Sequence, residues 1–150
     1  MRGEPVAAGP LRWLKKVIAL DTSVLIDGLT GSKRSSPELR HLIEIGERIL
    51  VPALVFYEWL RGPRLPEELA AQEALFPVKS AVVFGAEEAI LSSRIYRSVS
   101  RPRGREIDLA IAACAMARGA GLWTLNAADF EDIPGLTLYR PARRPKASVS

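Results

Sequence analysis

Three short runs, KVIAL (16–20), RILV (48–51) and LWTL (122–125), are apolar at consecutive positions, and helical patterns fill most of the chain between them. Consecutive rather than alternating apolar residues suit strands buried on both faces. Strands that alternate with helices must be joined by crossovers, which makes them parallel and lays helices over both sides of the sheet. The expected architecture is therefore α/β, a three-layer α/β/α sandwich around a central, mostly parallel sheet.

Helix boundaries can be placed between the strands. A short helix through Val24, Leu25 and Ile26 follows the first strand, and Ser36 before Pro37 starts another, because proline at a first helical position gives up no hydrogen bond. Pro52 opens a helix through ALVFYEWLRG that Gly62 ends, and Pro66 with Glu67 and Glu68 opens the next. KSAVVF (79–84) reads as a third strand or a loop. A long helix runs from about Gly85 to Ser100 and is broken by Arg101, Pro102, Arg103 and Gly104. Ile107, Ile111, Cys114 and Ala115 share one face of a helix over about 105–118, and LTLYR (136–140) reads as a closing strand.

A chain of 150 residues, 48% apolar and 25% charged, fits one globular domain. The expected division is an N-terminal extension over 1–15, a domain over 16–140 and a basic tail over 141–150. The single cysteine, Cys114, reads as a small core residue and requires no oxidising compartment, and the single histidine, His41, reads as no metal ligand. No apolar run approaches the roughly 20 residues of a membrane span, and Pro10 and Arg12 interrupt any signal-like stretch, so a cytoplasmic location is expected. The net charge of +4 lies at the ends: Arg2, Arg12, Lys15 and Lys16 against Glu4, then Arg140, Arg143, Arg144 and Lys146 without an acid. The middle is slightly acidic, so basic arms flank a region that concentrates carboxylates.

Four of those carboxylates stand out by position. Asp21 stops the first strand, Glu58 lies among apolar residues after the second, Asp108 falls in a first helical turn, and Asp129 follows Asn126 by three residues. Each has a structural alternative: an N-cap for Asp21, a paired or solvated acid for Glu58, a dipole-favoured acid paired with Arg105 for Asp108, a capping box for Asp129. In parallel sheets, however, ligands bind beyond the carboxyl ends of the strands, and three of the four acids stand beside predicted strand ends or helix starts. Clustered carboxylates repel one another, and a bound cation reverses that penalty. Acids without histidine or cysteine point to Mg²⁺ or Mn²⁺ rather than zinc.

The segments IALDTSVLID (18–27), VPALVFYEWLRG (51–62) and EIDLAIAACAMARGAGLWTLNAADF (106–130), in that order, resemble the PIN-domain proteins, specifically the ribonuclease toxins of VapBC-type toxin–antitoxin pairs. The resemblance covers roughly residues 16–140. It implies a metal-dependent endoribonuclease with Asp21, Glu58, Asp108 and Asp129 as the acidic constellation, and Thr22 or Ser23 and Asn126 as accessory polar positions, with Thr124 a further candidate. It implies an RNA substrate, a homodimer and an antitoxin protein that blocks the cleft. Two departures are the N-terminal extension and the lack of a hydroxyl residue between Ala53 and Phe56. Arg94, Arg97, Arg101, Arg103 and Arg105 lead directly to Asp108 and are candidates to hold RNA phosphates. The alternative for them is a solvated helix face. Tyr57, Trp59 and Trp123 read as core packing rather than as platforms for bases.

Rival readings remain at this level. One is a noncatalytic PIN-like module that binds RNA or a protein. The others are a haloacid-dehalogenase-like phosphatase, which expects an acid where Ser23 stands, and a phosphoacceptor receiver, which expects a lysine after a late strand.

Overall fold

The computed structural model describes residues 16–142. β1 (Val17–Leu20) leads through α1 (Thr22–Leu29) and α2 (Ser36–Glu44) to β2 (Arg48–Leu50). Then α3 (Ala53–Arg61), α4 (Pro66–Leu75), α5 (Ala86–Ser98) and α6 (Glu106–Ala117) precede β3 (Gly121–Trp123). The strand order is β2-β1-β3, with β1 parallel to both neighbours. Val17 stands beside Arg48 and Leu20 beside Trp123, which fixes the register on the two sides.

Ile18, Ala19 and Leu20 are all buried to 1% exposure or less. Successive strand residues point to opposite faces, so burial of three in a row requires cover on both faces of the central strand. Helices supply it, and the expected sandwich is what forms. In α6 every residue from Leu109 to Ala115 is buried, because small alanines let the helix pack closely against both α5 and β3. Cys114 belongs to that core, and its burial pushes the thiol up to about 11, out of the range of a reactive thiolate.

Two expected strands shrink to single bridges. Residues 79–84 give a 3-10 turn over Val78–Ser80, after which Val82 alone pairs with Pro52. Pro77 sets that turn, and Val82 donates to the Val51 carbonyl while accepting from Ala53 N–H, which leaves no longer ladder. Among the described residues, 136–140 form a bridge only through Leu138, with Leu122. The turn ending at Gly135 (φ +81°) aims this segment at β3, and Pro141 follows it directly.

The helix starts fall where proline predicts them: Pro37, Pro52 and Pro66 each sit at or beside a first turn. Trp59 and Trp123 are buried, as read from the sequence, but Tyr57 is 55% exposed. It lies on the outer face of α3, where the Arg61 guanidinium stacks 5.1 Å from its ring centroid. Among the described residues no helix is long and apolar enough to cross a membrane. Most of the basic residues expected at the ends fall on 1–15 and 143–150, outside the described residues.

Candidate active site

All three strands run the same way, so the residues that follow them emerge on one edge of the sheet. Asp21 follows β1 and Thr124 follows β3. The Asp21 backbone N–H donates to the Trp123 carbonyl at 2.9 Å, which ties the two strand ends together. Asp21 is 4% exposed, and its side chain makes no cap bond to α1. Instead its Oδ2 accepts from Ser23 Oγ at 2.8 Å and from Thr124 Oγ1 at 2.7 Å. The N-cap reading of this residue therefore fails. Two hydroxyls orient a buried carboxylate, and both act on the same oxygen.

Those hydroxyls are held in turn. Ser23 Oγ accepts from the Leu125 backbone N–H, and Thr124 Oγ1 accepts from the Asn126 backbone N–H. Asn126 thus supports the site through its main chain, and its side chain makes no cap bond to the turn over Ala127–Asp129. The capping-box reading fails with it, since Asp129 meets Asn126 only backbone to backbone.

Glu58 reaches the same region from α3. Thr22 Oγ1 donates to its Oε1 at 2.5 Å, and Arg61 lies 3.5 Å from its Oε2. Because Thr22 and Ser23 are adjacent, one turn of α1 carries the donors for two acids from different elements. Thr22, Ser23 and Thr124, all candidates from the sequence, are the hydroxyls that touch Asp21 and Glu58 among the described residues.

Asp108 sits in the first turn of α6, half-buried. Burial pushes its carboxyl up to about 6, and the charges of Asp21, Glu58 and Asp129 add to that rise while Arg105 opposes it. Three other segments distant in sequence thus place their acids within electrostatic reach of Asp108. Asp129 is the exposed member, on the 3-10 turn after β3.

Arg105 does not pair with Asp108 as the sequence suggested. Its guanidinium grips Asp132 with two hydrogen bonds, at 2.9 and 2.6 Å, and donates a third to the Asp129 carbonyl at 2.9 Å. These bonds occupy the fork of a residue that the sequence offers as one candidate to hold RNA phosphates. Asp132 was missed in the sequence because nothing local marks a partner 27 residues away. Arg94, Arg97, Arg101 and Arg103 are exposed. Tyr96, Ser100, Arg101, Pro102 and Arg103 line a surface depression just before α6.

Among the described residues, no three histidine, cysteine, aspartate or glutamate side chains are gathered tightly enough to cage a metal ion. The acids form an open constellation. That suits Mg²⁺ or Mn²⁺, since Mg²⁺ keeps several of its waters and takes one or two carboxylates directly. The mutual repulsion felt by Asp108 is the penalty that a cation would relieve.

The PIN domain model matches residues 18–136. The chain is 35% identical over 119 residues to Ribonuclease VapC19 of Mycobacterium tuberculosis, which spans 78% of this chain and 94% of that relative. The crystal structure of DNA-bound VapBC from Salmonella typhimurium superposes with a TM-score of 0.68 at 24% identity, over 84% of this chain and 98% of that one. A member of the VapBC family of toxin–antitoxin systems, VapBC-5 from Mycobacterium tuberculosis, gives 0.55 at 20% identity, over 83% and 98%. The likeness to solved structures is one of fold, while the family match runs from β1 past β3 and takes in all four acids: the chain belongs to the PIN-domain family.

Proposed function

We propose that the chain is a Mg²⁺- or Mn²⁺-dependent endoribonuclease, a cytoplasmic toxin of a toxin–antitoxin pair. The observation that carries the reading is the coupling of Asp108 to Asp21, Glu58 and Asp129, four carboxylates from separate segments at one edge of a parallel sheet. The family and the ribonuclease relative support it.

Asp21, Glu58, Asp108 and Asp129 are the residues that would hold the cation. When bound, the ion supplies a Lewis acid for the phosphodiester and lowers the pKa of the attacking water. The chain's own part is orientation. Ser23 and Thr124 occupy one oxygen of Asp21. Thr22 donates to one oxygen of Glu58, and Arg61 lies 3.5 Å from the other. Arg101 and Arg103 stand exposed beside the start of α6, where they can hold RNA phosphates.

The same reading assigns an antitoxin partner that blocks the acidic cleft, and a homodimer. It draws on the resemblance to VapBC-type toxins and on the solved complexes of that name.

The test is cleavage of a circular RNA by chelator-treated protein, since a circle has no ends for an exonuclease. Opening of the circle on adding Mg²⁺ or Mn²⁺, and none with Asp108→Asn, is expected. Opening in excess chelator, or an intact circle with either metal, contradicts the reading.

A further inference from the structure

Arg105 joins parts of the site that the sequence keeps apart. It is the residue immediately before α6, and its carbonyl accepts from Leu109 N–H, so its backbone belongs to the first turn that carries Asp108. Its guanidinium meanwhile holds the carbonyl of Asp129 and both carboxylate oxygens of Asp132. One side chain thus fastens the segment of one acid to the helix of another.

The choice of arginine matters here. A guanidinium presents several donors in a fixed plane, so it can grip a carboxylate with two bonds and still serve a carbonyl, whereas a lysine ammonium is a point charge without that fork. The Arg105 side chain is 20% exposed and that of Asp132 is 45%. A surface ion pair of this kind adds little stability on its own, which makes position, rather than stability, its larger contribution.

Charge gives Asp132 a second part. Arg105 lies within electrostatic reach of Asp108 and Asp129, yet its hydrogen bonds go to Asp132 and to the carbonyls of Arg101 and Asp129. Asp132 commits two of the guanidinium's hydrogen bonds away from those two carboxylates. Without it the guanidinium is free to turn onto Asp108 or Asp129 and compete with a metal ion.

We propose that Arg105 and Asp132 form a positioning clamp for the cation site, fixing Asp129 relative to Asp108 and keeping the guanidinium from bonding to either carboxylate. The proposal rests on the metal-dependent reading above.

The experiment measures Mn²⁺ binding to the full chain through loss of the free-ion paramagnetic resonance signal, at a temperature well below unfolding. Asp132→Asn and Arg105→Lys are expected to weaken binding about tenfold or more, the usual cost of losing a group that orients metal ligands. Asp132→Glu keeps the carboxylate and recovers most of the affinity. Arg34→Lys, at the remote Asp27 pair, binds as the unaltered chain does. Variants that melt earlier yet bind Mn²⁺ with unchanged affinity would reduce the clamp to a structural role and overturn the proposal. If Arg105→Lys does not fold, Asp132→Asn at the more exposed end of the pair decides. An unaltered chain that neither binds Mn²⁺ nor cuts RNA overturns the parent reading and the clamp with it. One that does both, beside variants that bind equally well, overturns the clamp alone.

Discussion

Thr124, one residue past β3, donates a 2.7 Å hydrogen bond to Asp21, one residue past β1 and 103 positions earlier. The bond is possible because Leu20 and Trp123 are register partners in adjacent parallel strands, so the residues after them emerge side by side. Sheet register thus sets the orientation of the most buried of the four acids.

Thr124→Val tests that relationship with little change in shape. It removes one of two hydroxyls on Asp21 Oδ2 and the acceptor for Asn126 N–H. Metal-dependent RNA cleavage should fall about 10- to 100-fold, with a loss of about 1–3 kcal/mol in stability for the unmet buried groups. Metal-titrated cleavage and urea unfolding measure the two effects. Unchanged cleavage would mean that the hydroxyl does not orient the site.

Asp108→Asn should separate stability from activity. The Asp108 carboxyl titrates near 6 in the folded chain against an ordinary 3.8, with burial as the first cause. The folded state therefore binds its proton more tightly than the unfolded state. This group's contribution to stability falls as pH rises from about 4 to about 6 and stays low above that. Removing the charge should stabilise the metal-free protein at pH 8 by about 1 kcal/mol, allowing for solvent screening of a half-buried group. The gain should vanish at pH 4. Thermal melts in chelator at the two pH values check it, and the same variant should not cut RNA.

The sequence carried the β1, β2 and β3 strands, the proline-started helices and the four acids, because those features are local: runs of apolar residues, caps and strand ends. It misjudged what depends on partners far along the chain. Asp21 looked like a helix cap until the arrival of Thr124 from β3 gave its carboxylate another use. Arg105 looked like a partner for Asp108, three residues on, but Asp132 presents both oxygens to its fork. Residues 136–140 carry strand-like composition, yet between the turn at Gly135 and Pro141 only Leu138 forms a bridge. Tyr57 shares a helix with buried Val55, Phe56 and Trp59 but faces outward, since helical rotation takes it off the buried stripe.

Gln72→Leu probes the packing of α3 on α4 through a residue that touches none of the four acids. Trp59 Nε1 donates to Gln72 Oε1 at 3.2 Å, and Gln72 Nε2 donates to the Phe76 carbonyl at 2.9 Å. Both side chains are buried, so leucine leaves an indole N–H and a carbonyl without partners. Stability should drop by about 1–3 kcal/mol, read by urea unfolding, while cleavage by the folded fraction is retained. A variant as stable as the original would show that these bonds do not hold the two helices together.

Thr22→Val should release Glu58 Oε1 and leave Arg61 as its remaining neighbour. The exposed ion pair cannot fix the carboxylate by itself. The concentration of Mn²⁺ needed for half-maximal cleavage should rise about tenfold with little change at saturation, and a metal titration at fixed RNA reads it. A fall in the saturated rate alone, with the metal requirement unchanged, would contradict this role.

The most direct measurement is anomalous diffraction from crystals grown with Mn²⁺. A peak among Asp21, Glu58, Asp108 and Asp129, with at least one carboxylate oxygen about 2.0–2.3 Å away and the remaining ligands water or neighbouring acids, is the predicted result. A well-ordered cleft with no peak at saturating Mn²⁺, or a sole peak elsewhere on the surface, would contradict the assignment of these four acids to a cation site.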